Sequence, residues 1–132
     1  MRRPAVPIMT MMAVVACARP VIIMSRPANV EAGGLDCVSG TLQRIGYMIT
    51  AGDRALGFVR AERTRTRASF PSGPLGTDVL VVNYITADAG DDESDDTIQV
   101  KASRTTKEQY EGGATSDAIS DAERLLDQCG QI

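Results

Sequence analysis

Apolar positions from Leu35 onward repeat with the period of a helix. Leu35, Val38, Leu42 and Ile45 stand three, four and three residues apart, which lines them along one helical face, and Gly46 follows where a helix stop is expected. The spacing predicts a first helix over residues 31–45. Gly33, Gly34 and Gly40 weaken it, each by up to about 1 kcal/mol relative to Ala, so it depends on tertiary packing. At Tyr47 the period falls to two. Tyr47, Ile49 and Ala51 alternate with Met48 and Thr50, Gly52 and Asp53 turn the chain, and residues 58–64 run extended again as the second arm of a hairpin. A third strand is expected over 78–86, where the continuous Val79, Leu80, Val81 and Val82 suit a central position. A fourth, over 97–103, alternates Ile98, Val100 and Ala102 as a half-buried strand. The Pro- and Gly-rich stretch 68–77 separates the second and third strands as a loop.

The helical period returns near the end of the chain. Ile119, Ala122, Leu125, Leu126 and Cys129 share one face, Thr115 or Ser116 serves as N-cap, Asp117 lies in the positive first turn, and Gly130 stands just past the last turn. The order is therefore αββββα, and the expected fold is α+β: a two-layer sandwich of a four-stranded antiparallel sheet with two helices on one face. If the strands form a meander, the first helix runs up, four strands alternate and the last helix runs down. The start of the first helix and the end of the last then meet at one edge, and Cys37 and Cys129 occupy those two places. In an oxidising compartment these two can pair, and a loop of about 90 residues contributes roughly 4 to 5 kcal/mol by chain entropy. The alternative is two buried free thiols.

Composition narrows what such a fold can do. The 132 residues suffice for one domain with a modest core, and that core must be built from aliphatic residues, because Trp is absent and the aromatics are Tyr47, Phe58, Phe70, Tyr84 and Tyr110 alone. Histidine is also absent, which removes the commonest general base and transition-metal ligand. No G-x-S-x-G elbow, phosphate-binding loop or Cys-x-x-Cys stands in the sequence, and Glu62, between Arg60 and Arg63, is the one carboxylate in a built-in cationic setting. No enzyme activity, cofactor or metal is expected. The formal net charge is −3, and setting aside Arg2 and Arg3 leaves 12 basic residues against 17 acidic ones, or −5. Such a field repels phosphate, so a nucleic-acid partner is not expected.

The N-terminus reads as an export segment. Arg2 and Arg3 supply a positive start and residues 5–15 an apolar stretch of secretory length, too short to span a bilayer, which needs about 20 residues. Extending it to Met24 would bury Arg19 beside Pro20. Val14, Val15, Ala16 and Cys17 resemble a bacterial lipobox, in which an aliphatic residue, a small or β-branched one and a small one precede the cysteine that is acylated and becomes the new N-terminus. The family most often has Leu where this chain has Val14. The resemblance implies a thioether-linked diacylglycerol and an amide-linked acyl chain such as palmitate on Cys17, and several chains anchor stably where one binds marginally. Ala18 is not the Asp that retains such proteins at the inner membrane, so the implied place is the outer membrane, facing the periplasm. Ordinary signal cleavage near Ala16 or Ala18, or a buried thiol, are the other readings of Cys17. The expected division is a lipoprotein signal peptide over 1–16, a lipidated tether over 17–28 with room for one brief strand, and a small domain over 29–132, working as a structural or interaction module with a protein partner in the envelope. The hairpin region 46–63 is similar to one found in small uncharacterised envelope lipoproteins, which implies architecture and no activity.

Two charge clusters remain. Asp88, Asp91, Asp92, Glu93, Asp95 and Asp96 crowd the stretch 88–96, which lacks the EF-hand spacing and reads as a solvated hairpin tip, with weak divalent-cation binding as the other reading. Arg60, Arg63, Arg65 and Arg67 form the opposite cluster, and a period of two throws Arg63, Arg65 and Arg67 to one side of a strand. Such a stripe can bind an anionic envelope ligand, a lipid headgroup or cell-wall polymer. It equally suits an edge strand charged against aggregation, or a partner for the acidic loop.

Overall fold

The structure, a computed structural model, describes residues 20–87, 96–106, 108 and 110–131. Cys17 and residues 88–95 of the acidic run lie outside the described residues.

The predicted meander is present. Strands β2 (Met48–Asp53), β3 (Phe58–Arg65), β4 (Gly76–Ile85) and β5 (Thr97–Thr105) pair antiparallel in sequence order. Two further strands enlarge the sheet from the four expected to six. Strand β1 (Ile22–Pro27) pairs antiparallel with β5 from Ile22↔Ala102 to Pro27↔Thr97, and the short β6 (Glu111–Gly113) continues the same edge against Ser103–Thr105. The brief strand expected within the tether is β1, and the described residues 20–28 of that stretch belong to the fold. Its two prolines disguise it, but β1 is an edge strand and Pro27 is its last residue, where a missing N–H costs no ladder bond. Beyond β1, Ala28 is wholly buried and bridges Gly130, Asn29 N–H donates to Cys129 O at 3.0 Å, and Gln131 N–H donates to Pro27 O at 2.7 Å. Arg26 adds an ion pair to Asp127.

The first helix follows its apolar stripe but is shorter than the expected 31–45. Gly33 and Gly34 both adopt positive φ, 104° and 59°, which divides the segment into a 3-10 turn at Val30–Ala32, capped by the Asn29 side chain, and a helix α1 at Leu35–Arg44. α1 ends in a Schellman motif: Tyr47 N–H reaches Leu42 O at 2.9 Å, Gly46 N–H reaches Gln43 O at 3.2 Å, and Gly46 takes the left-handed φ of 91° this requires. Helix α2 (Ser116–Cys129) starts at Thr115, whose Oγ1 accepts from Ala118 N–H at 3.1 Å.

Both helices cover one face of the sheet. Cross-strand partners Ala61, Leu80 and Ala102, then Val59, Val82 and Val100, form rows that meet Val38 and Leu42 of α1 and Ala122, Leu125 and Leu126 of α2. A disulfide joins Cys37, in the first turn of α1, to Cys129, the last residue of α2, with Cα atoms 5.8 Å apart. Among the described residues no helix covers the opposite face of the sheet, and there Met48 and Ile23 stand exposed. Among the described residues no helix is long and apolar enough to cross a membrane.

Candidate functional site

Strand β3 sends alternate side chains to opposite faces, and this splits the arginines. Arg63 and Arg65 fall on the helix-covered face, in register with Asp78 and Gly76 of β4. Helix α2 begins directly above them, and its first two turns bring Asp117 and Asp121 down onto the pair. Arg65, with its side chain 2% exposed, donates from Nη1 to Asp78 Oδ2 at 2.9 Å, from Nη2 to Asp117 Oδ2 at 3.0 Å and from Nε to the Pro74 carbonyl at 3.2 Å. Arg63 donates from Nη2 to Asp121 Oδ2 at 2.6 Å and to Asp78 Oδ2 at 3.2 Å, and from Nη1 to the Ile45 carbonyl. Asp78 has no exposed side-chain surface, and its second oxygen accepts from Thr115 Oγ1 at 3.0 Å. The Thr115 hydroxyl thus caps α2 and binds the buried carboxylate at once.

Aromatic faces complete the cluster. The Arg65 guanidinium stacks on Phe70 at 3.9 Å from the ring centroid, and Arg63 lies 4.5 Å from Tyr47 and 5.1 Å from Phe70. Tyr47 Oη donates to Asp121 Oδ2 at 3.1 Å. Burial pushes the Tyr47 phenol far above its usual range; the Arg63 charge opposes that shift, and Asp121 adds to it. Tyr47 is accordingly a fixed hydrogen-bond donor. For both arginines burial works against the charge. The contacts with Tyr47, Asp121 and Asp78 outweigh it for Arg63, as those with Asp78 and Asp117 do for Arg65, so both guanidiniums are held above their ordinary range. Two buried cations meet three carboxylates, and every guanidinium nitrogen but Arg63 Nε has a partner within the protein.

The four arginines therefore do not make one anion-binding stripe. Arg63 and Arg65 spend their donors, Arg63 Nε excepted, on the protein's own aspartates and backbone carbonyls. Arg60 lies on the opposite face and pairs with Glu62 at 3.2 Å, and Arg67, beyond the end of β3, is exposed and donates to the Gly73 carbonyl at 3.4 Å. Nor is β3 an edge along its whole length: β2 covers it as far as Glu62, and only Arg63–Arg65 run past the end of that partner. Of the acidic run, the described Asp96 accepts from Tyr84 Oη at 3.0 Å and from Ala87 N–H at 2.9 Å, an internal role that closes the connection between β4 and β5.

The sequence held one unread signal for the aspartates. Asp78 is in phase with Leu80 and Val82 on the core face of β4, and Asp121 shares the α2 stripe with Ala118 and Leu125. Carboxylates on apolar faces need buried cations, and Arg63 and Arg65 are the cations in phase with Val59 and Ala61.

On the helix-free face, an open hollow of about 660 Å³ is lined by Arg60, Glu62, Thr77, Lys101, Ser103 and Thr105 among others. Its charges are matched, Arg60 with Glu62 and Lys101 with Glu111 at 2.8 Å. It is polar and neutral in balance. No group of three or more His, Cys, Asp or Glu residues placed to hold a metal ion occurs among the described residues. The Cys37–Cys129 disulfide lies at the other end of α2 from the arginine cluster and takes up two of the three cysteines. No protein-family model matches this chain, and no curated protein matches it.

Proposed function

We propose that the protein is a lipid-anchored module of a bacterial envelope, held to the membrane through Cys17 and engaging an envelope partner through the helix-free face of its sheet. The observation that carries the reading is the division of the cysteines. Cys37 and Cys129 are joined across 92 residues, which suits an oxidising compartment and leaves Cys17, within its apolar leader, as the remaining thiol. The folded part acts by contact: its most buried polar cluster is an ion network internal to the fold, and the charges lining its open hollow are matched.

Mass spectrometry of the mature protein tests it. The expected N-terminal residue is Cys17 carrying diacylglycerol and an amide-linked acyl chain, and Cys17→Ala releases the protein from the membrane fraction. A mature chain that keeps residues before Cys17, or a Cys17→Ala variant that fractionates with membranes as before, overturns the reading.

A further inference from the structure

The geometry points to a phosphate-binding site in the groove between α1 and α2, formed by Arg44, Arg124 and Gln128. It stands independently of the lipid anchor. Arg26, Arg54, Arg60, Arg63, Arg65 and Lys101 each have a carboxylate within ion-pairing distance. Arg44 and Arg124 have none among the described residues, and they come together: a hollow of about 210 Å³ is lined by Thr41, Arg44, Ile45, Arg124 and Gln128, with no carboxylate in the lining. Arg67 and Arg104 also lack a carboxylate among the described residues, but they stand elsewhere and donate to the Gly73 and Leu75 carbonyls. The cation beside Arg67 in its own hollow is Arg65, whose three nitrogens are already engaged.

The disulfide sets the meeting of the two side chains. From Cys37 forward to Arg44 along α1 is about 10 Å at the rise of a helix, and from Cys129 back to Arg124 along α2 about 8 Å, so the antiparallel pair presents both at neighbouring levels. Arg44 is held from below: its Nη2 donates to Thr41 Oγ1 at 3.0 Å, and Thr41 is buried. Its place in the last turn of α1 favours a cation through the helix dipole. Arg124 has no such reason, for it stands exposed in the body of α2. Two like charges at one groove raise the energy of the folded state, and the disulfide and apolar core that join these helices do not call for them. An anion between them turns that repulsion into attraction. The carboxylates of α2 on either side do not compete for the place, since Asp121 accepts from Arg63 and Tyr47 and Asp127 pairs with Arg26. Salt screens the net negative charge of the chain beyond about 8 Å, so the local pair decides. A guanidinium fork matches two oxygens of an oxyanion, and two forks reaching from different helices match the tetrahedral array of a phosphate better than the single plane of a carboxylate. The ligand is therefore a phosphate group, free or in a lipid headgroup.

Inorganic phosphate titrated into the isotopically labelled full-length protein, with sodium chloride adjusted to hold ionic strength constant, tests the site by NMR. Saturating shifts are expected at the guanidinium Nε–H groups of Arg44 and Arg124 and at the side-chain amide of Gln128. Arg124→Gln should weaken binding about tenfold or more, the worth of a lost hydrogen bond to a charged group. Arg67→Gln, which replaces an exposed cation outside the groove, should bind as the parent does. Phosphate should also raise the Tm of the parent and leave that of Arg124→Gln where it was, and without phosphate the variant should melt no lower than the parent. Dimethyl phosphate, titrated in the same way, separates the sources: saturation with it points to a headgroup diester, and saturation with inorganic phosphate alone to the free ion. Shifts that chloride reproduces, that fail to saturate with either probe, or that keep full affinity in Arg124→Gln mean an adventitious ion only and overturn the site.

Discussion

Asp78 is the residue on which most of the interior depends. It accepts from Arg63, Arg65 and Thr115 and has no exposed side-chain surface, so removing it takes one carboxylate from each of two largely buried guanidiniums, which keep only Asp121 and Asp117. Taking one partner from a buried ionic network costs about 3 to 5 kcal/mol, whereas an exposed pair contributes about 1 kcal/mol or less. Asp78→Ala is expected to lower stability by the larger amount and Arg60→Ala, whose partner Glu62 is reached by solvent, by the smaller, read from urea unfolding with the disulfide intact. Equal losses would contradict the network. Tyr47 adds a pH dependence. Its folded pKa is raised, chiefly by burial, so the folded state holds a proton that the unfolded state releases above its own pKa of about 10. Stability from this group is fully present below about pH 10 and falls as pH rises further. Tyr84 is shifted in the same direction, by burial and by Asp96, so Tyr47→Phe should flatten the alkaline fall in stability without abolishing it.

At the scale of elements, the N-terminus of α2 is where helix formation and the ion network meet. Thr115 caps the helix through Ala118 N–H and donates to Asp78, so Thr115→Ala loses both bonds and is expected to cost about 1 to 2 kcal/mol, while Thr115→Ser keeps both and stays close to the parent. A fall in Tm for the Ala variant alone, measured calorimetrically, is the result to look for. The elements that sequence periodicity predicted are those whose side chains alternate against a core: β2 to β5, α1 from Leu35 and α2. Those it missed, as β6, or left open, as β1, are held by backbone. Glu111, Gly112 and Gly113 of β6 offer almost no side chains to pattern, and β1 hides its half-buried Ile22 and Met24 between prolines. The glycine pair Gly33 and Gly34 likewise starts the first helix at Leu35, where the apolar stripe begins, rather than at the expected residue 31. The ion network was legible only in halves, since the arginine period was plain in β3 but its partners sit 13 to 58 residues further on, where nothing local says that they face the same interior. Because β1 is part of the sheet, a chain beginning at Asn29 should lose more than a tether: the β5 edge and the place of Ala28 are laid open. Such a chain is expected to aggregate or melt well below the full domain in circular dichroism, and one that melts alongside it would restore the tether.

Taken whole, the domain is fastened at two opposed ends. At one, the arginine network locks the start of α2 to β3 and β4; at the other, the disulfide joins the end of α2 to α1, and the Ala28–Gly130 bridge joins it to β1. Between them lies a core of aliphatic side chains in which Ala61, Ala102 and Ala122 occupy central positions, each burying little apolar area. The covalent link therefore has unusual weight here. Closing a loop with a sequence separation of 92 contributes about 4 to 5 kcal/mol by chain entropy, against a total of about 5 to 15 kcal/mol for a typical domain. Only a compartment that keeps the cysteines oxidised lets the fold draw on that contribution, which ties the stability of the domain to the place proposed for it. The double variant Cys37→Ala, Cys129→Ala removes the link and leaves the arginine network whole. Its urea midpoint should fall steeply, and adding reductant to the parent should reproduce the fall while leaving the variant unchanged. A parent that unfolds at the same urea concentration in both redox states would show that the two ion-locked ends and the thin core suffice, and the disulfide would then say nothing about where the protein works.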